Sequence, residues 1–273
     1  MNELLPGLDT KPAMLHQAMR YSVETSGKRL RPILCILSHE LFKPVNQNVI
    51  NTACAIELLH TYTLIHDDLP CMDNDDLRRG KLTLHKVYPE SIALLAGDAL
   101  LTLAFQVLAD NGGPFAATLL SLLANLTGSR GVIGGQASDI LSEGENISLE
   151  DLEYIHLNKT AKLLEASIKC GVILGGASEE ELKKLSYYAT KIGLAFQIAD
   201  DILDIEGDVK KTGKSSDQDK KKDKATYPKF LGLKESKKRL NIHISEAIDS
   251  LACFGTKATS LNFIANFIKT REY

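Results

Sequence analysis

Proline is missing from the middle of this 273-residue chain, since none occurs between Phe115 and Tyr227. Proline breaks helices in their interior, so its absence leaves this stretch free to form long helices. Alternating runs of β-branched and polar residues bounded by turn residues, which are typical of sheets, are also missing. A β-sheet fold is therefore not expected.

The chain has no large excess of charge of either sign, because its formal net charge is −3. This balance does not favour nucleic acid as a partner. The five cysteines are scattered and form no Cys-x-x-Cys pair, which favours reduced thiols over a disulfide framework. The first residues show neither the basic nor the apolar region of a signal peptide. We therefore expect a cytoplasmic protein.

The longest apolar stretch runs from Ile92 to Ala109 and approaches the length of a membrane span. Asp98 lies in its middle, where a carboxylate would be costly in lipid. We therefore expect a buried core helix and no transmembrane segment.

Helical signals recur along the rest of the chain. Apolar residues return at spacings of three and four in 152–174 and again in 182–205. Ser148 and Ser178 each begin a capping-box pattern, and glycines follow the apolar runs as stop signals. The sequence predicts an all-α protein with one domain over residues 1–273.

The segment 207–224 reads GDVKKTGKSSDQDKKKDK and has no apolar face. Lysine-rich runs are usually solvated loops. The alternative is a mobile flap that brings positive charge to an anionic ligand. Composition does not separate the two.

A first acidic cluster lies in HDDLPCMDNDDLRRG and contains Asp67, Asp68 and Asp73. His60 and Thr63 precede Asp67 by seven and four residues, so a helix would place all three residues on one face. Pro70 and two extra residues are expected to loosen the helix and let the third carboxylate swing back.

A second acidic cluster lies in FQIADDILD and contains Asp200, Asp201 and Asp204. Helical spacing puts Gln197, Asp200 and Asp204 on one face. Ionised carboxylates on an otherwise apolar helix are costly unless cations meet them. The cluster therefore indicates a cation site.

Magnesium is commonly held by a few carboxylates together with substrate phosphate oxygens. A single cluster could instead be a solvated acidic turn or a calcium site, but the glycine and glutamate of an EF-hand loop are missing. Two such clusters, each on an apolar helix, favour magnesium ions that are bound by both clusters and share one diphosphate.

These motifs resemble those of the trans-prenyltransferases, and within them the short-chain farnesyl and geranylgeranyl diphosphate synthases of bacteria and plastids. The resemblance runs in family order through GKRLRP, ELLHTYTLIHDDLPCMDNDDLRRG, LAGDALL, GGQ, NKTAKL, FQIADDILDIEGD and KATYP, from Gly27 to Pro228. It implies a helical bundle around a central active-site cavity and a homodimer. The chain departs from the family at Leu82, where proline is common, and in a missing glycine before KATYP.

The resemblance also implies a role for each motif residue. About three magnesium ions per site would be bound by Asp67, Asp68, Asp73, Asp200, Asp201 and Asp204. The allylic diphosphate would be gripped by Arg78, Lys159, Lys214 and Lys224, and isopentenyl diphosphate by Lys28, Arg31, His60 and Arg79. Thr160, Gln197 and the Lys159 backbone would turn oxygen dipoles toward the allylic cation. No catalytic role is implied for His66, Asp98, Gln136 or Asp139.

Product length in this family depends on the positions four and five before the first aspartate, which are Thr63 and Tyr62. A large aromatic at the fifth position resembles farnesyl-forming enzymes, whereas the two-residue insertion before Asp73 also occurs in geranylgeranyl synthases. We therefore expect a farnesyl product, with geranylgeranyl diphosphate as the alternative.

Three other functions fit the sequence less well. A class I terpene cyclase shares the first acidic motif but has a different second metal motif, and a non-catalytic regulatory subunit would not need the full set of acidic and basic residues. A phosphate-binding loop after Gly207 has five intervening residues where four are required. The sequence favours the prenyltransferase.

Overall fold

The structure, a computed structural model, describes residues 1–211 and 225–270, with side chains up to residue 206 and from residue 225. This part of the chain forms thirteen α-helices: α1 (Ala13–Glu24), α2 (Leu30–Glu40), α3 (Gln47–Asp67), α4 (Leu84–Val87), α5 (Glu90–Asn111), α6 (Ala116–Thr127), α7 (Val132–Leu141), α8 (Leu149–Ile155), α9 (Lys162–Gly175), α10 (Glu179–Lys211), α11 (Tyr227–Leu231), α12 (Leu233–Ser250) and α13 (Thr259–Thr270). The predicted all-α class is confirmed.

Shorter elements connect some of the helices. A π-helical segment, His156–Ala161, joins α8 to α9, and 3₁₀ segments occupy Gly113–Phe115 and Ala252–Ala258. Two two-residue strands, β1 (Leu77–Arg78) and β2 (Lys81–Leu82), form an antiparallel hairpin. The hairpin was not predicted, because its strands are too short to give an alternating pattern.

The chain divides into two compact units. Unit 1 contains Met1–Ile36 and Pro44–Ser121, and unit 2 contains Leu37–Lys43 and Leu122–Tyr273. The single domain over residues 1–273 stays a prediction.

In unit 1, α3 packs along α5, and α1 packs on both. Gly97 on α5 lets α3 approach closely, since a Cβ at this position would lie 2.1 Å from His66 Nε2. The His66 ring nitrogen is hydrogen-bonded to the Leu94 carbonyl at 3.0 Å. His66 therefore packs between α3 and α5.

Helix α5 is long and apolar enough to cross a membrane by length and composition. It buries one side, through Ala93, Ala96, Gly97, Leu100, Ala104, Val107 and Leu108. The exposed fractions of Leu94 and Leu95 are 45% and 50%, so the expected core helix is buried on one face only. The absence of a transmembrane segment stays a prediction.

In unit 2, the long helix α10 packs on α9, α12 and α13. Tyr188 on α10 is fully buried and donates its hydroxyl to the Leu261 carbonyl at 2.7 Å. Both capping boxes are confirmed, because Ser148 and Ser178 each exchange side-chain and backbone hydrogen bonds with the acidic residue three positions on.

Candidate active site

The first acidic cluster begins where α3 ends. Asp67 is the last residue of the helix and Asp68 its C-cap. The backbone amide of Asp73 donates to the carbonyl of Asp67 at 2.8 Å. The chain after Pro70 therefore folds back on the helix end, as the sequence predicted, and brings the first and third aspartates together.

Asp68 faces the protein and pairs with Arg78 on β1. Its side chain is 5% exposed, and its Oδ1 accepts a hydrogen bond from Arg78 Nε at 2.9 Å and a second from Arg78 Nη2. Burial raises the pKa of the Asp68 carboxyl, and Arg78 opposes that shift. Asp75 also contacts Arg78, at 3.1 Å. Asp68, which was expected to bind magnesium, is therefore paired in this structure with Arg78, which was expected to bind diphosphate.

The β1–β2 hairpin separates the two neighbouring arginines. Arg79 and Gly80 form its turn with φ angles of 54° and 76°. Arg79 lies against Gly27, where an added Cβ would come within 2.3 Å of its guanidinium nitrogen Nη1. Arg78 thus points to the acidic cluster and Arg79 to the GKRLRP loop, which comprises the end of the link after α1 and the first turn of α2. Their assignment to different substrates stays a prediction.

His60 lies on α3, the helix that ends at Asp67, and arginines from other segments of unit 1 surround it. Its Nε2 is 3.1 Å from Arg31 Nη1. Burial lowers the pKa of His60 well below its usual value, and the charges of Arg31, Arg79, Arg29 and Arg78 lower it further. A neutral His60 therefore accepts the Arg31 hydrogen bond, in a positive field that suits an anion.

Arg29 was not among the predicted site residues, yet it fixes the GKRLRP loop. Its Nη1 donates to Glu57 Oε1 at 2.6 Å, and its Nη2 donates to the carbonyls of Val23 and Thr25 at 2.7 and 2.9 Å. Glu57 is only 1% exposed. A carboxylate in the middle of the apolar helix α3 was the sequence signal that could have identified this pair.

Tyr62 and Thr63 lie on α3 one turn before Asp67. Tyr62 is buried, and its ring meets His66 edge-on with 5.5 Å between centroids. Burial, with a contribution from Asp67, raises the pKa of Tyr62 to about 12, so its phenol is neutral. The Thr63 hydroxyl donates to the His60 carbonyl at 2.8 Å.

The second acidic cluster lies on α10, and its residues differ in exposure. Gln197 and Asp200 are half-buried, and Asp204 is exposed. Asp201 instead accepts a hydrogen bond from the backbone amide of Tyr227 at 2.8 Å. Burial raises the pKa of Asp201 to about 7, against the opposing effect of that bond. Asp201 therefore ties α10 to the start of α11.

His156 comes within 4.0 Å of Asp201 without forming an ion pair. Burial lowers the pKa of His156 to about 4, so the imidazole is neutral at neutral pH. The ring stacks at a tilt on Tyr227, whose hydroxyl donates to Glu153 at 3.0 Å.

Lys159 and Thr160 lie on the π-helical segment. Lys159 Nζ pairs with Asp139 Oδ2 on α7 at 2.5 Å, and Thr160 is buried. Asp139, for which no catalytic role was implied, is therefore the partner that holds the Lys159 ammonium. Lys214 and Lys224 lie outside the described residues, and their roles stay predictions.

The acidic residues offer oxygen donors of the kind that magnesium prefers. Among the described side chains of residues 1–206 and 225–270, no three histidine, cysteine or acidic groups converge as a preformed metal site. Magnesium usually takes one or two carboxylates and completes its shell with water and phosphate oxygens. The fold-back that joins Asp67 to Asp73 fits that mode of binding.

Comparison with known proteins gives the same family as the motifs. The model of the family described as polyprenyl synthetase matches residues 12–253. A dimethylallyltranstransferase of Fischerella ambigua is 49% identical, with 96% of this chain and 77% of that one covered. A farnesyl diphosphate synthase of Geobacillus stearothermophilus is 45% identical, covering 96% and 90%. A chloroplast geranylgeranyl pyrophosphate synthase of Catharanthus roseus is 46% identical, covering 96% and 75%.

A solved structure agrees with the sequence comparisons. The apo structure of an FPP/GFPP synthase from Zymomonas mobilis superposes with a TM-score of 0.89 and 36% identity, covering 98% of this chain and 92% of that one. The chain is therefore a prenyltransferase of the polyprenyl synthetase family.

Proposed function

We propose that this enzyme condenses isopentenyl diphosphate with dimethylallyl or geranyl diphosphate and that its main product is farnesyl diphosphate. The observation that carries the proposal is the positive field at His60, a buried imidazole on the helix that ends at Asp67, to which Arg31 and Arg79 contribute more than the carboxylate-paired Arg29 and Arg78. Such a field is costly unless an anion meets it, and a diphosphate supplies that charge.

Isopentenyl diphosphate would bind to the GKRLRP loop and the hairpin turn. Lys28 is exposed, and Arg31 and Arg79 both contribute to the field at His60. Arg29 is already committed to Glu57, so it holds the loop and leaves its neighbours to the substrate. His60 acts as a neutral acceptor that orients the Arg31 guanidinium.

The allylic diphosphate would bind to the acidic clusters. Asp67, Asp73, Asp200 and Asp204 are the carboxylates we assign to magnesium, and the ions, when bound, would neutralise charge on the departing diphosphate. To reach a metal, Asp68 would have to release Arg78 and Asp201 would have to release the Tyr227 amide. Arg78 and Lys159 would exchange their aspartate partners for phosphate oxygens.

The reaction then follows as ionisation, condensation and elimination. The carbon–oxygen bond of the allylic substrate breaks and leaves a delocalised cation. The double bond of isopentenyl diphosphate attacks that cation, and the new cation loses a proton to the released diphosphate. Thr160, Gln197 and the Lys159 carbonyl would turn oxygen dipoles toward the positive carbon.

The farnesyl product is supported by Tyr62, a buried aromatic one turn before Asp67 that would close the pocket below the allylic chain. The second candidate is geranylgeranyl diphosphate, favoured by the geranylgeranyl synthase from Catharanthus roseus at 46% identity. Incubation with each allylic primer, labelled isopentenyl diphosphate and magnesium chloride, followed by chromatography, separates them. Accumulation of the fifteen-carbon product supports the proposal, and conversion through to the twenty-carbon product contradicts it.

A homodimer in the cytoplasm completes the proposal. The exposed apolar residues Leu94 and Leu95 on α5 support association with a second copy. None of the five cysteines is part of a disulfide, which fits a reducing compartment. Both statements stay predictions.

A further inference from the structure

The segment His156–Ala161 is the one π-helical stretch in the part of the chain that the structure describes. The helical turn is wider here than in an α-helix, because the Lys162 amide donates to the Leu157 carbonyl, five residues back. π-Helical turns are rare and occur often at functional sites. This one carries Lys159 and Thr160, so its position decides where both groups point.

Helix α7 approaches the segment at Gly135. A Cβ on Gly135 would lie 2.2 Å from the Lys159 amide nitrogen and 2.8 Å from the Lys159 Cα. These are backbone atoms, which cannot swing aside as a flexible side chain does. Asp139 lies one turn further along α7 and holds the Lys159 ammonium at 2.5 Å. Helix α7 therefore contacts the Lys159 backbone through Gly135 and the Lys159 ammonium through Asp139.

Helix α10 approaches the segment from another side, at Gly193. A Cβ on Gly193 would lie 2.3 Å from the Ala161 Cβ and 2.8 Å from the Ala161 Cα. Gly193 precedes Gln197 by one turn, so the same helix face carries a proposed active-site group. Any residue larger than glycine must push the segment and α10 apart.

The segment is also fixed internally by Asn158. This side chain is 7% exposed and donates its amide to the Tyr154 carbonyl at 2.8 Å, where α8 passes into the wider turn. The Asn158 hydrogen bond thus stabilises the junction at which α-helical backbone hydrogen bonds give way to π-helical ones.

We propose that Gly135 and Gly193 are positioning residues, which together fix the π-helical segment so that Thr160 and the Lys159 backbone are placed for the cation-forming step. This inference rests on the proposed function. It predicts that adding one methyl group at either glycine reduces turnover while leaving the isopentenyl diphosphate site intact, since that site is built from residues of unit 1.

The test is a cycle of four proteins: wild type, Gly193→Ala, Ala161→Gly and the double variant. Gly193→Ala should lower kcat by about tenfold or more, with the KM for isopentenyl diphosphate within about twofold of wild type. Removing the Ala161 methyl relieves the closest clash, although the new methyl group still meets the backbone at residue 161. The double variant should therefore regain about threefold or more over Gly193→Ala.

Amide hydrogen exchange of residues 156–161 in the protein without substrate gives a second readout. Gly193→Ala should speed this exchange, and the double variant should slow it again. An unchanged kcat in Gly193→Ala, unchanged exchange, or independent effects of the two substitutions would overturn the inference. So would unfolding of both the single and the double variant, because the contact would then be purely structural. A wild-type protein that forms no product would instead remove the proposed function, whereas the exchange result would still report on the contact.

Discussion

Backbone strain at single residues is concentrated near the first acidic cluster. Within the described residues, the non-glycine positions with positive φ are Arg29, Asn74 and Arg79. Each lies in the GKRLRP loop or in the segment from Asp67 to the hairpin. Such conformations cost energy and persist where the surroundings hold them, which is typical of ligand sites.

Single carboxylates are expected to dominate the rate. Asp67→Ala and Asp200→Ala should each lower kcat by about two orders of magnitude or more, because charge on the departing diphosphate would be less well neutralised. Steady-state kinetics with saturating magnesium measures the loss. Asp110→Ala, an exposed aspartate on α5, is the matched control and should leave kcat unchanged. Near-normal turnover in either site variant would remove that residue from the mechanism.

Tyr62 is expected to set the chain length. Tyr62→Ala should shift the product toward twenty carbons or longer, because removing a buried ring deepens the pocket. Chromatography of the dephosphorylated products measures the shift. Tyr187→Ala removes an exposed tyrosine on α10 and should leave the product distribution as in wild type. An unchanged distribution in Tyr62→Ala would show that the pocket floor lies elsewhere.

Among the elements, the loop before α2 depends on one buried charge pair. Glu57→Gln should lower the free energy of unfolding by about 2 kcal/mol, because Arg29 loses its charged partner in a largely buried place. Urea denaturation measures this change. Glu24→Gln breaks the 3.8 Å pair with Arg20, in which the Glu24 side chain is 51% exposed, and should change the free energy of unfolding by less than about 1 kcal/mol. Equal effects of the two variants would show that burial of Glu57 is not decisive.

The hairpin is expected to serve two substrates through neighbouring arginines. Arg78→Lys should raise mainly the KM for the allylic diphosphate and Arg79→Lys mainly that for isopentenyl diphosphate, because lysine cannot reproduce the guanidinium fork. Each rise should be about tenfold. Varying one substrate at saturation of the other separates the effects. The same KM pattern in both variants would contradict the assignment.

Much of this element structure could be predicted from the sequence. Apolar spacing and the capping boxes at Ser148 and Ser178 located helices correctly, and Pro70 indicated the fold-back at Asp73. The contacts of Asp68 and Asp201 could not be predicted, because all aspartates in a motif look alike until their neighbours are known. The partners Arg78 and the Tyr227 amide lie 10 and 26 residues away along the chain.

The π-helical segment escaped prediction for a different reason. An apolar periodicity near 3.6 continues through it, so the pattern resembles one unbroken helix from α8 to α9. Helices α7 and α10 approach the segment at Gly135 and Gly193, where the lack of a side chain matters only once these helices are packed against it. Tertiary contacts of this kind leave no local signal.

For the whole molecule, the exposed apolar side chains on α5 lead us to expect self-association. Sedimentation velocity should give a mass near twice the 29.9 kDa of one chain. Leu95→Glu places a charge on this surface and should shift the distribution toward the single-chain mass. Asn111→Asp, at the end of the same helix, is a charge control that should leave the mass unchanged. A wild-type protein that sediments as one chain would contradict the dimer.

One incorporation assay tests the chemistry proposed for the whole enzyme. The purified protein is incubated with labelled isopentenyl diphosphate, geranyl diphosphate and magnesium chloride, with a chelator in the parallel sample. We expect a labelled prenyl diphosphate five carbons longer than the primer, formed in the presence of magnesium and lost with the chelator. Consumption of geranyl diphosphate without any label in the product, or no reaction with any allylic primer, would contradict it.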